Sequence, residues 1–198
     1  MKIYGISQYK NYMFIQIEET PNPSTLKFLP GVEIMPHGQT ASFRTVEDCA
    51  ISKLAQKLIE IEGIENIFFG HDFISITKSD LVNWPSLKAI VVATVVDYAI
   101  TGLPIVEVSQ KKASNISYLS VDEQEIVRQI VEVIDEKVRP AVAQDGGDIT
   151  FHSYKDGIVY VEMQGACSGC PSAILTLKDG IENMLQYYIP EVIRVEQI

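Results

Sequence analysis

Apolar and polar positions alternate from Phe14 to Glu18, the two-residue period of a half-buried strand. Thr20-Pro21-Asn22-Pro23-Ser24 interrupts it, because neither proline can donate to a ladder. Thr25–Leu29 resumes extended structure and ends at Pro30-Gly31; after a loop through Pro36-His37-Gly38, Ala41–Phe43 reads as a short strand. From Val46 to Ile61 the period turns helical, with Ile51, Leu54, Ala55, Leu58 and Ile59 on one face and Gly63 as the stop. Ile64–Phe69 and Phe73–Thr77 are strands around Gly70-His71-Asp72. A second helix opens with Asn83 as cap and Pro85 in its first turn. Leu87, Ile90, Val91, Thr94, Val95 and Tyr98 carry its apolar face to Gly102 and Pro104.

Residues 105–118 show no helical period and read as a linker. Ser120 and Glu123 then have the spacing of a capping box ahead of a helix whose face is Ile126, Ile130, Val133, Ile134 and Val138. That helix should kink or end near Arg139-Pro140. Asp145-Gly146-Gly147-Asp148 reads as a tight, mobile turn, and Ile149–Tyr154 and Ile158–Met163 as a hairpin around Lys155-Asp156-Gly157. A last helix (Ile174, Leu177, Ile181, Leu185) and a strand over 192–196 complete an α-β-β-α-β order. The pattern predicts an α+β protein of two small mixed domains, 13–104 and 119–198, joined by the 105–118 linker.

Composition narrows the classes. The chain has 198 residues, 46% hydrophobic and 21% charged, which suits one large or two small globular domains. No apolar run approaches the ~18 residues of a membrane span. Net charge is −10, with six Lys/Arg against fourteen Asp/Glu in 119–198, so phosphate backbones are repelled and nucleic-acid binding is excluded as a role. Three cysteines without a secretory signal point to a reducing compartment. Residues 1–12 carry Lys2 and Lys10 but no Arg, making a poor transit peptide; they read as a disordered extension, with Met1 or Met13 as the start.

The candidate chemistry sits in Cys167-Ser168-Gly169-Cys170-Pro171, on the loop between a strand and a helix. Thiolates are the metal-binding form of cysteine, and a helix N-terminus favours negative charge. Two residues between the cysteines let both sulfurs face one metal centre. A tetrahedral zinc or a [4Fe–4S] cluster each usually takes four ligands, and Cys49 is the one further cysteine. A second copy of the chain is the simplest completion, and a site shared by two subunits is open enough to hand its contents on.

Other polar residues carry plainer readings. Asp145 and Asp148 are turn-formers whose side chains bond nearby N–H groups, with contact to the cysteine loop as the alternative. Cys49 is a small core residue. His37, His71 and His152 are surface or loop histidines rather than ligands, since none has a partner near in sequence. Tyr187 and Tyr188 lie in the core or at an interface edge.

The run Arg139-Pro140, Asp145-Gly146-Gly147-Asp148-Ile149, Gly165-Ala166-Cys167-Ser168-Gly169-Cys170-Pro171, Thr176-Leu177-Lys178, Gly180-Ile181-Glu182 and Pro190-Glu191-Val192 resembles the NifU C-terminal-like (Nfu) domain. Glu19-Thr20-Pro21-Asn22-Pro23, Lys27-Phe28 and Ser86-Leu87-Lys88 are similar to the N-terminal domain of Nfu proteins. The resemblance implies a carrier without catalytic turnover. It would hold a labile [4Fe–4S] cluster between two subunits of a homodimer, on Cys167 and Cys170 of each, and pass it to apo iron–sulfur enzymes. Its partners would be iron–sulfur assembly proteins and those recipients, with no membrane association. The compartment would be a bacterial cytoplasm, or a mitochondrial matrix in a eukaryote. Two rivals remain. One is an adaptor linking assembly machinery to targets. The other is a thioredoxin-like disulfide exchanger, although its motif belongs near the chain's beginning with a later cis-proline, and here only Pro190 follows Pro171.

Overall fold

The structure, a computed structural model, describes residues 3–5, 14–107, 121–168 and 171–198. They form two compact units, divided between Ser109 and Gln110. The capping box read at Ser120 and residues 108–118 of the expected linker lie outside the described residues.

The first unit holds strands β1 (Ile3–Gly5), β2 (Gln16–Glu19), β3 (Thr25–Leu29), β4 (Ala41–Phe43), β5 (Ile64–Phe69), β6 (Ile74–Lys78) and β7 (Pro104–Glu107). Helices α1 (Lys53–Ile59) and α2 (Trp84–Ile100) complete it. Strands β2-β3-β6-β5-β4 make one sheet, each neighbouring pair antiparallel. Its period-2 faces separate cleanly in β5: Ile67 and Phe69 join the main core, while Phe68 turns the other way toward Phe73. Leu54 and Leu58 of α1 and Leu87, Val91 and Val95 of α2 fill the same core as Phe28 and Ile76. β1 pairs antiparallel with β7. Residues 3–5 are therefore a strand, not part of a disordered extension, and β7 takes up the first residues expected to be linker.

Two details of the helices differ from the sequence reading. The helical stretch expected from Val46 divides at Ser52: a 3₁₀ turn covers Asp48–Ile51, and α1 begins at Lys53. Ser52 forces the break because its backbone is extended, with its hydroxyl accepting from the Ala55 N–H (3.1 Å) and donating to the Ile105 carbonyl (2.6 Å). Asn83 precedes α2 in extended conformation but its side chain makes no capping bond. Instead the Trp84 indole N–H reaches the Pro23 carbonyl at 3.1 Å.

The second unit runs α3 (Val121–Val133), a π-helical turn (Ile134–Val138), α4 (Arg139–Gln144), β8 (Gly147–Lys155), β9 (Ile158–Gly165), a 3₁₀ turn (Ala166–Ser168), α5 (Pro171–Tyr188) and β10 (Arg194–Gln197). The helix does not end at Arg139-Pro140. Pro140 has no N–H to offer the preceding turn, and the chain widens into the π turn just before it rather than breaking. β8 and β9 are antiparallel, joined by Asp156 and Gly157, both at positive φ (51° and 78°), the signature of a type I′ hairpin turn. β10 lies parallel to β9, so the sheet order is β10-β9-β8. Ile130, Ile134, Val138 and Val142 pack with Ile149, Val161, Met163, Ile181 and Leu185 in a separate core.

Candidate functional site

The end of β9 and the start of β8 build the platform for Cys167. Gly147 pairs with Gly165 and Asp148 with Gln164 in the hairpin register. The chain then turns sharply. The Ala166 N–H donates to the Gly146 carbonyl (3.1 Å), and the Ser168 hydroxyl donates back to the Gly165 carbonyl (2.9 Å). This 3₁₀ turn drives the Cys167 side chain inward, leaving it 5% exposed. The openness expected of a site shared by two subunits does not extend to this sulfur within one chain. Gly169 and Cys170 lie outside the described residues.

The sulfur rests over Gly147. A Cβ at that position would stand 2.6 Å from Cys167 Sγ and 2.6 Å from the Gln164 carbonyl oxygen, so only glycine leaves room for the thiol. Gly147 was read in the sequence as half of a turn. Its packing role has no local signal, because the sulfur arrives from twenty residues later.

Electrostatics around Cys167 also run against the sequence expectation of a helix-stabilised thiolate. Burial, followed by the negative fields of Asp145 and Asp148, pushes the thiol up to about 12. Cys167 is therefore a thiol at neutral pH until a cation compensates those charges.

Asp148 is not a turn-former. It is buried at 4% exposure within β8, and its two carboxylate oxygens take the Nε (2.9 Å) and Nη2 (2.8 Å) of Arg139 in a fork. Arg139 Nη1 also donates to Asp135 at 3.1 Å, one turn back. Those carboxylates hold the guanidinium charged well above its usual range. The residues around Pro140 thereby brace the strand beneath Cys167. Asp145, in contrast, ends α4 as its C-cap and stands in the turn before β8, where the sequence placed it.

Cys49 is fully buried, its S–H donating to the Thr45 carbonyl (3.3 Å), and burial raises its pKa to about 11. It is a core thiol, as expected. Tyr187 and Tyr188 are exposed, packed edge to face on each other at 5.0 Å, so the core alternative does not hold for them. His152 is exposed, as read, but His37 and His71 are brought together: their rings stack at 3.7 Å beside Glu33. Distance along the chain concealed that pairing.

Comparison with known proteins extends the picture. Residues 130–196 match the family model described as "NifU-like domain", and residues 15–102 match "Scaffold protein Nfu/NifU N terminal". The chain is 47% identical over 189 residues to a Drosophila willistoni protein named "NFU1 iron-sulfur cluster scaffold homolog, mitochondrial". The Drosophila persimilis protein of the same name is also 47% identical over 189 residues. These alignments take in 96% of this chain, which spans 65% and 66% of the two relatives. Among solved structures, a Saccharomyces cerevisiae NifU-like protein covers 52% of this chain and 93% of its own, at 24% identity and a TM-score of 0.46. A Staphylococcus aureus protein covers 42% of this chain and 99% of its own, at 28% identity and a TM-score of 0.38. With the two domain models matched in this order along one chain, the protein belongs to the Nfu family.

Proposed function

We propose that the chain is an iron–sulfur cluster scaffold and carrier, holding a [4Fe–4S] cluster as cargo between two copies and passing it to apo-proteins. The observation that carries the reading is the half-complete donor set. The NifU-like unit owns two cysteines, Cys167 and Cys170, and the third, Cys49, is sealed in the core of the other unit. Four thiolates around one cluster then require a second chain. The relatives named as iron–sulfur cluster scaffolds support the cargo, and the cluster is the chemistry that C-x-x-C thiolates suit.

Loading converts thiol to thiolate, since iron takes the place of the proton on sulfur. Asp145 and Asp148 favour the protonated state of Cys167, so proton return accompanies release. A recipient's thiolates then replace those of the scaffold one at a time. Disulfide exchange fits this environment poorly, because an attacking cysteine needs a thiolate near neutral pH. The mitochondrial names of the relatives support the matrix as the compartment and lend none to a bacterial cytoplasm.

Anaerobic reconstitution with iron and sulfide tests this. Wild-type protein should take up about four irons per two chains and elute as a dimer. Cys167→Ser and Cys170→Ser should each lose both the iron and the dimer. Iron bound by a monomer, or no uptake at all, would overturn the proposal. Reversible disulfide turnover in insulin reduction, without iron, would instead favour the exchanger.

A further inference from the structure

We infer that the first unit carries a divalent transition-metal site formed by Glu33, His37 and His71, distinct from the cysteine pair. One ligand atom from each of the three residues lies within 4.8 Å of the others. His71 Nε2 is 3.6 Å from Glu33 Oε1. Around a tetrahedral ion with bonds near 2.05 Å, neighbouring ligand atoms stand about 3.3 Å apart, so the cluster needs only a small contraction.

The hydrogen bonding settles which nitrogen of His71 faces the site. Its Nδ1 lies 2.8 Å from the Met35 carbonyl oxygen, which can only accept, so Nδ1 carries the proton. In the neutral ring that leaves a lone pair on Nε2, pointed at a carboxylate oxygen. Two acceptors at this distance repel unless a cation lies between them or a proton is added. A metal ion between them would turn that opposition of lone pairs into two bonds. The Nδ1-to-carbonyl bond is also the outer support that metal-ligating histidines commonly have.

The site is built on anchored backbone. Ile34 and Met35, between Glu33 and His37, are buried in the core at 1% and 4% exposure. Their N–H groups both donate to the His71 carbonyl, at 2.6 and 3.2 Å, fastening the loop to the β5–β6 connection. Pro36–Gln39 closes a turn with Gly38 at φ +73°, which presents His37. Two imidazoles and one carboxylate suit zinc and its first-row neighbours rather than calcium or magnesium, which prefer all-oxygen shells. Three protein ligands leave the fourth position to water or to a donor from another molecule.

Zinc chloride titrated calorimetrically into the full-length Cys167→Ser/Cys170→Ser variant tests the site without competition from those thiols. The expected result is about one Zn²⁺ per chain. Glu33→Gln and His37→Ala should each weaken it by more than about tenfold, with circular dichroism unchanged. Glu33 is exposed, so its isosteric replacement keeps the fold. Co²⁺ in the same variant should show the visible bands of a tetrahedral ion without thiolate charge transfer. The inference is overturned if no Zn²⁺ binds up to millimolar concentration, or if binding is undiminished in both variants. It is equally overturned if zinc binds only when Cys167 and Cys170 are present. None of these outcomes depends on whether the protein carries a cluster.

Discussion

Gly147 and Cys167 show how little room one residue can leave. A methyl group at position 147 would collide with both a sulfur and a backbone oxygen, and the oxygen cannot swing away. Gly147→Ala should cost roughly 1–3 kcal/mol as overpacking, read as a lower urea midpoint, and should also reduce iron uptake because Cys167 is displaced. The raised pKa of Cys167 has a further consequence. A thiol at about 12 in the folded chain and 9.0 when unfolded contributes stability in full below pH 9. That contribution is lost as pH rises toward 12, because the unfolded chain surrenders its proton first. Apo protein should accordingly melt at lower temperature with each pH step above 9, and Cys167→Ser should flatten that slope. At neutral pH iodoacetamide should label Cys167 far more slowly than a free thiol. The sequence named Cys167 as chemically important and misjudged its surroundings, since the burial that raises its pKa, and the carboxylates that add to it, come from other parts of the fold.

At the level of elements, the fork between Arg139 and Asp148 joins the helical segment at Pro140 to the strand under the cysteine turn. Asp148→Ala should cost about 2–3 kcal/mol, because Arg139 keeps Asp135 but loses a buried, charge-assisted pair. Asp135→Ala, removing the exposed partner, should cost well under about 1 kcal/mol. Chemical denaturation of the two variants and their double gives the coupling directly. Ser52 is the corresponding joint in the first unit. Ser52→Ala removes a helix cap and the hydroxyl bond to the Ile105 carbonyl, at about 1–2 kcal/mol by the same measurement. Strands and helices were largely legible from period and punctuation: Thr25–Leu29, Ala41–Phe43 and Ile64–Phe69 stand where alternation put them. The misses are at ends and kinks. Ser52 splits a helix because it has a distant partner at Ile105, and of the two outcomes expected at Pro140 the helix does not end but carries a π-helical irregularity just before it.

Across the whole molecule, each unit has its own core. Leu58→Ala should destabilise the first unit by roughly 2–5 kcal/mol while leaving the iron content of reconstituted protein unchanged, a separation that melting curves with and without cluster can read. The sequence by itself determined the class of elements, the two-domain α+β order and the paired cysteines, because these rest on local periods, turn residues and fixed spacing. Tertiary structure alone decided the strand orders β2-β3-β6-β5-β4 and β10-β9-β8, the burial of Cys167 over Gly147, the pairing of Arg139 with Asp148, and the meeting of Glu33, His37 and His71. These depend on which faces cover one another, and side chains on different elements become neighbours only when the chain closes around its apolar positions.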